Sequence, residues 1–272
     1  DIRYNVIQWV HRSTRGWSYG SSVIDPRTGE IIKGHVSLGS LRIRQDFMIA
    51  IGLLKAPYSA KKNKEKVALE MALSRIKQLS AHEIGHTLGF SHNFLASSNN
   101  NSSVMDYPHP IIELRNNKID IKNAYSNGIG EWDKVSVAYS YSEFDESEDE
   151  KLELEKILEN SFKNNLRFIS DADSRPIGSS HPTSHLWDNG ANPIIELKKI
   201  TQIRDLALKN ISLDHLKKGE PYSNLQDIIV PMYLLHRYQS EAVVKLIGGV
   251  DYDYAVKGNI KYEINIINKI KQ

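Results

Sequence analysis

The eleven residues from His82 to His92, read as His82-Glu83-x-x-His86-x-x-Gly89-x-x-His92, constrain this chain more than any other part of it. They gather three imidazoles and a carboxylate in a sequence of 272 residues that has no cysteine. Disulfides, thiolate metal sites and cysteine nucleophiles are therefore excluded together, and any metal must be held by His, Asp, Glu or backbone oxygen. His82 and His86 stand four residues apart, a spacing that turns both side chains to one side of a helix. Glu83 follows the first histidine, where a carboxylate reaches a metal-bound water without ligating the metal.

Two histidines leave a catalytic zinc site one protein ligand short, with a further position needed for water. In a continuing helix His92 would lie about 9 Å beyond His86 along the axis and face away. Gly89 offers a remedy, because glycine takes φ > 0 and lets the chain turn back toward the same ion. The rival is a carboxylate from a later helix, such as Glu113. His92 is the preferred third ligand, since the glycine has no purpose in the rival scheme. Zinc, which favours nitrogen ligands and has no redox chemistry, is the expected ion.

The surrounding pattern is mixed. RYNVIQWV reads as a buried strand, and SSVID and EIIKGHV flank PRTG as the two arms of a hairpin. From Lys66 to Gly89 the periodicity is helical, with Leu69, Leu73, Ile84 and Leu88 expected on a buried side and the histidines opposite. Residues 93–110 are rich in Asn, Ser and Pro and read as a loop. After the acidic run EFDESEDE a helix carries Leu154, Leu158, Phe162 and Leu166, and another opens at Asn192-Pro193. A last helix is expected near 224–247, bent at Pro231 and stopped by Gly248-Gly249. The fold class is α+β, with residues 1–145 as a catalytic core and 146–272 as a helical C-terminal part packed on it.

A formal net charge of +2 with interleaved signs gives no nucleic-acid footprint, and no apolar run is long enough to span a bilayer. The start at Asp1, directly in a strand-like run, reads as a mature product or a fragment of a longer multi-domain protein.

The histidine string resembles the signature of the metzincin zinc peptidases, and SVMDY supplies Met105 where that clan has a methionine turn. The wider context, WVHRSTRGWSYGSSVIDPRTGEIIKGHV, QLSAHEIGHTLGFSHNF, SVMDYPHP and HPTSHLWDNG, is similar to a family of large, multi-domain bacterial zinc metalloproteases. The resemblance implies a zincin-like fold with a twisted mixed sheet, zinc on His82, His86 and His92, and Glu83 as general base. It also implies cleavage of peptide or protein substrates, most naturally as an endopeptidase, outside the cytoplasm of a bacterium (periplasmic, outer-surface or secreted). Tyr107, two residues after Met105, is the position from which some branches of the clan ligate zinc and stabilise the oxyanion. By the same resemblance Glu30 to Val36 is the candidate edge strand for an extended substrate. The rivals are a catalytically silent peptide-binding module and a zinc amidase acting on a non-protein amide.

Two further clusters carry less. His181 and His185 have i, i+4 spacing but enclose Pro182 in a turn-rich segment, which favours structural roles. Asp171 and Asp173 lack the rest of a calcium loop.

Overall fold

A computed structural model of the protein describes residues 1–12, 16–59, 63–254, 256–257 and 265–267. The first elements are β1 (Val6–Val10), β2 (Tyr19–Ile24) and β3 (Ile31–Gly39), followed by α1 (Ser40–Leu53) and α2 (Glu65–Thr87). A short hairpin, β4 (Glu113–Arg115) and β5 (Lys118–Asp120), precedes α3 (Glu131–Tyr141), α4 (Glu150–Lys163) and the single turn α5 (Asp171–Ser174). Then come α6 (Pro193–Asn210), α7 (Leu225–Tyr233), α8 (Arg237–Val244), β6 (Val250–Asp251) and β7 (Asn265–Ile266). The class is α+β, as the sequence implies.

The chain forms two compact units. The first comprises residues 1–89, 110–128 and 194–237; the second comprises 90–109, 129–193 and 238–272. Residues 145 and 146 both belong to the second.

In the first unit a mixed sheet has the order β1-β3-β2, with β1 parallel and β2 antiparallel to β3. The PRTG turn closes as expected: Gly29 (φ 78°) donates to Asp25 O at 2.8 Å, and Asp25 donates to Glu30 O at 2.9 Å. Two expectations fail here. The segment Glu30 to Val36 belongs to the central strand, so it is not an edge; β2 and β1 are the edges. Strand β1 forms but is not buried, with Ile7 65% exposed, because no further strand or helix among the described residues covers that face.

Helix α2 matches its expected span but not its expected face. Leu69, Leu73, Ile84 and Leu88 are 44%, 43%, 41% and 39% exposed, whereas Ala68, Met71, Ala72, Arg75, Gln78, Leu79 and His82 are buried. Those buried positions follow the i, i+3, i+4, i+7 rule as well as the leucines do. They win because small alanines let α1 pack closely and because the buried polar side chains are tied to partners, Arg75 Nε excepted. Arg75 bonds Gln78, and Arg42 of α1 grips Asp46 at 2.5 and 2.8 Å. His82 therefore continues the core-facing stripe instead of lying opposite it. The core completes with Ile51 and Leu53 of α1, Ile203 of α6, and Ile228 and Met232 of α7.

The expected helix over 224–247 is two helices with a break at residues 234–236, so the chain is interrupted three residues after Pro231 and not simply bent. Glu113 lies on β4, paired with Arg115, and not on a helix. That hairpin turns through Asn116 and Asn117, both at positive φ (50° and 55°), which short polar side chains tolerate. Helices α1 and α3 are additions that the periodicity reading did not single out.

In the second unit the Asn- and Ser-rich stretch is indeed irregular, yet much of it is interior. Asn93, fully buried, accepts from the N–H groups of Leu95 (3.2 Å) and Ile169 (3.3 Å) and donates to Arg167 O at 2.9 Å. One side chain thereby satisfies the backbone that a buried loop would otherwise leave unpaired. Helix α4 begins where Asp149 accepts from Lys151 and Leu152, as the acidic run implies.

Candidate metal centre

The last turns of α2 present His82 and His86 with ring centroids 4.7 Å apart, edge to face. The helix then ends: Leu88 donates back to Ile84 and Gly85, Gly89 donates to His86 O at 3.1 Å, and Gly89 sits at φ 89°. This is the left-handed turn that the spacing required. One ligand nitrogen from each of His82, His86 and His92 lies within 4.8 Å of the others, so three imidazoles converge on one point. Glu113 is not part of that group. Three nitrogen donors without a thiolate suit zinc and leave a position open for water.

Glu83 is buried beside the histidines, and its carboxylate accepts the backbone N–H of Gly20 on β2. Burial pushes the Glu83 carboxyl up to about 7, against the opposing pull of the Gly20 N–H and the Arg75 charge. A Cβ on Gly20 would stand 1.9 Å from the Glu83 carbonyl oxygen, so only glycine allows β2 this close to α2.

Behind the third histidine the second unit supplies a support that sequence reasoning missed. His92 Nδ1 lies 2.8 Å from Asp171 Oδ2, and Arg175 donates to Asp171 Oδ1 at 3.0 Å. Against the effect of burial, these two partners hold the Asp171 carboxyl below its usual range. The signal was general: a metal-bound imidazole wants a carboxylate or carbonyl on its other nitrogen. Nothing in the sequence said which carboxylate.

Met105 is buried, and its turn is held from below by Asp133 of α3. The Asp133 carboxylate accepts from Ser103 Oγ (2.6 Å), Val104 N (2.8 Å) and Gly130 N (2.6 Å), while Met105 O accepts from Asn93 N at 3.0 Å. Tyr107 places its ring edge-on to His92, centroids 4.7 Å apart, and lies tilted at 34° to Trp187, centroids 5.2 Å apart. Trp187 (φ 60°) donates its N–H to Tyr107 O at 2.9 Å.

Of the other two clusters, His181 and Asp173 make structural contacts. His181 is fully buried with Nε2 3.2 Å from both Tyr252 O and Asp251 Oδ1. Asp173 accepts the hydroxyls of Tyr252 and Tyr254.

A histidine pair on a helix, a glutamate between them, a glycine turn, a third histidine and a buried methionine turn together define a zincin-type metal centre of the metzincin kind. The family model DUF4953, Met-zincin, matches residues 64–272, most of the chain, and the chain belongs to that family. It is a metalloprotease-type protein with zinc as its metal. The chain matches no curated protein and no solved structure. No helix among the described residues is long and apolar enough to cross a membrane.

Proposed function

We propose that the protein is a zinc-dependent endopeptidase in which Glu83 is the general base. The observation that carries this reading is the convergence of the three histidine nitrogens within 4.8 Å, with the buried Glu83 adjacent in sequence to His82. Zinc, when bound there, supplies Lewis acidity and brings the pKa of a water to about 7. Glu83 takes the proton of the attacking water on a carboxylate oxygen and returns it to the leaving nitrogen. The Gly20 N–H keeps that carboxylate oriented. Tyr107, beside His92, donates its hydroxyl to the developing oxyanion. An extended substrate adds to the open edge of β2, since β3 is occupied on both sides. Action outside the cytoplasm of a bacterium, as part of a larger protein, belongs to the same proposal and rests on the sequence resemblance.

Glu83→Gln and His92→Ala test the reading together. Glu83→Gln is expected to keep about one zinc per chain while hydrolysis of an unfolded protein falls by ~10²–10⁴, the range for losing a general base. His92→Ala is expected to lose both zinc and activity. Parental hydrolysis by Glu83→Gln would remove the general base from the scheme. A parent protein that binds zinc yet cleaves only small non-protein amides would favour the amidase, and one that cleaves nothing would favour the binding module.

A further inference from the structure

Four side chains of the second unit, the third histidine among them, close a ring of contacts. His92 Nδ1 meets Asp171 Oδ2 at 2.8 Å, and Asp171 Oδ1 accepts from Arg175 at 3.0 Å. The Arg175 guanidinium hydrogen-bonds the Tyr107 side chain, its Cζ 5.9 Å from the ring centroid. Tyr107 returns edge-on to His92. Asp171 and Arg175 are 39% and 50% exposed at their side chains, and ion pairs that exposed contribute little to stability. What the pair does offer is direction. A carboxylate on Nδ1 keeps the proton there and leaves Nε2 free as the ligand atom. The guanidinium is a rigid, planar fork that stays charged, so it aims donors at Asp171 and Tyr107 together.

We infer that Asp171 and Arg175 are positioning residues of the metal centre: Asp171 orients His92, Arg175 orients Tyr107, and their ion pair sets the two in register. The Tyr107 half rests on the peptidase reading; the His92 half needs only zinc.

Zinc affinity is measured by competition with a chromophoric chelator for the parent, Asp171→Asn, Asp171→Ala, Arg175→Met and Arg175→Lys. Both Asp171 variants are expected to bind zinc about 10–100-fold more weakly, with the unfolding midpoint of the metal-free protein little changed. Arg175→Met is expected to keep zinc affinity close to the parent, lower kcat about tenfold at near-constant KM, and regain part of the loss as Arg175→Lys. On a Tyr107→Phe background Arg175→Met is expected to cost nothing more, because a residue acting through Tyr107 is silent without its hydroxyl. A merely structural arginine would give additive losses. Parental zinc affinity in Asp171→Asn, parental kcat in Arg175→Met, or additivity in the double variant overturns the inference. If the parent cleaves no peptide, the peptidase reading falls on its own, and the Arg175 half is read without substrate. In protein carrying ¹³C-labelled tyrosine, the Tyr107 ring signals, identified by their loss in Tyr107→Phe, then shift in Arg175→Met if the inference holds. Unmoved signals refute it.

Discussion

Gly20 and Glu83 touch twice: the Gly20 N–H donates to the Glu83 carboxylate, and the Gly20 Cα approaches the Glu83 backbone so closely that no Cβ fits. One contact orients the proposed base and the other presses the edge strand onto the metal-bearing helix. Gly20→Ala would force β2 away from α2. The expected result is a loss of about 1–3 kcal/mol in stability, the usual range for overpacking, with zinc retained and peptidase activity reduced beyond the unfolded fraction. Urea titration, elemental analysis and an unfolded-protein assay measure the three; parental values in all would mean that β2 does not bear on Glu83.

Gly89 is a different kind of glycine. It sits at φ 89° with nothing within 4 Å of the place a Cβ would take, so space is free and only the backbone conformation objects. Gly89→Asn is expected to be mild and Gly89→Val to cost more than about 1 kcal/mol, since β-branched residues resist the left-handed region. Because the turn delivers His92, Gly89→Val should also weaken zinc binding without touching a ligand. Equal zinc affinity in both variants would place the turn elsewhere.

Asp133 holds the methionine turn through three accepted hydrogen bonds, two of them from buried backbone or hydroxyl donors of residues 103 and 104. Asp133→Ala strands those donors, each at a cost of about 1–3 kcal/mol. The variant is expected to lose more stability than any surface substitution, with zinc affinity falling as the turn loosens. A chemical denaturation midpoint close to the parent's would show that water replaces the carboxylate.

Asp188 and Asp106 are buried carboxyls of the second unit. Burial pushes Asp188 up to about 7, and burial together with the Asp188 charge raises Asp106 well above its usual range. A carboxyl raised in the folded state holds its proton more tightly there than in the unfolded chain. Stability from Asp188 is therefore intact below about pH 4 and is lost as pH rises to about 7, by up to about 1.4 kcal/mol per pH unit. Two neighbours complicate the parent's profile. His185, lowered to about 4 by burial, acts with the opposite sign over part of the same range, and Lys245, lowered to about 8, acts above it. The difference between Asp188→Asn and the parent removes the His185 contribution. Lys245, which the Asp188 charge raises, titrates above that range in the parent, and Asp106, also raised by that charge, changes with the same sign as Asp188. Asparagine keeps an acceptor for Ser97 Oγ, now 3.0 Å from Asp188 Oδ1, so the variant should gain on the parent as pH rises from 4 to 7. Parallel melting curves across that range would contradict a raised Asp188.

The metal centre was largely legible in the sequence because it is local. Two histidines on one helical face, a glutamate between them and a glycine turn before the third histidine are all set within eleven residues, where helix geometry and the conformational freedom of glycine suffice. The β2–β3 hairpin was legible for the same reason, its turn chemistry lying between its strands. What the tertiary structure decided depends on partners distant in sequence. Helix α2 carries two apolar-compatible stripes, and only packing against α1, with the Arg75–Gln78 bond and the Arg42–Asp46 pair in place, selects the stripe of Ala68 and Ala72 over that of Leu69 and Leu73. Strand order, too, is invisible locally: pairing of β1 with β3 turned the expected edge into the centre and gave that role to β2. Asp171, 79 residues from His92, became its partner only because the folded second unit brings them together. Periodicity reports which residues share a face; burial free energy and hydrogen-bond satisfaction, which are properties of the whole packed unit, determine which face turns inward and what it meets.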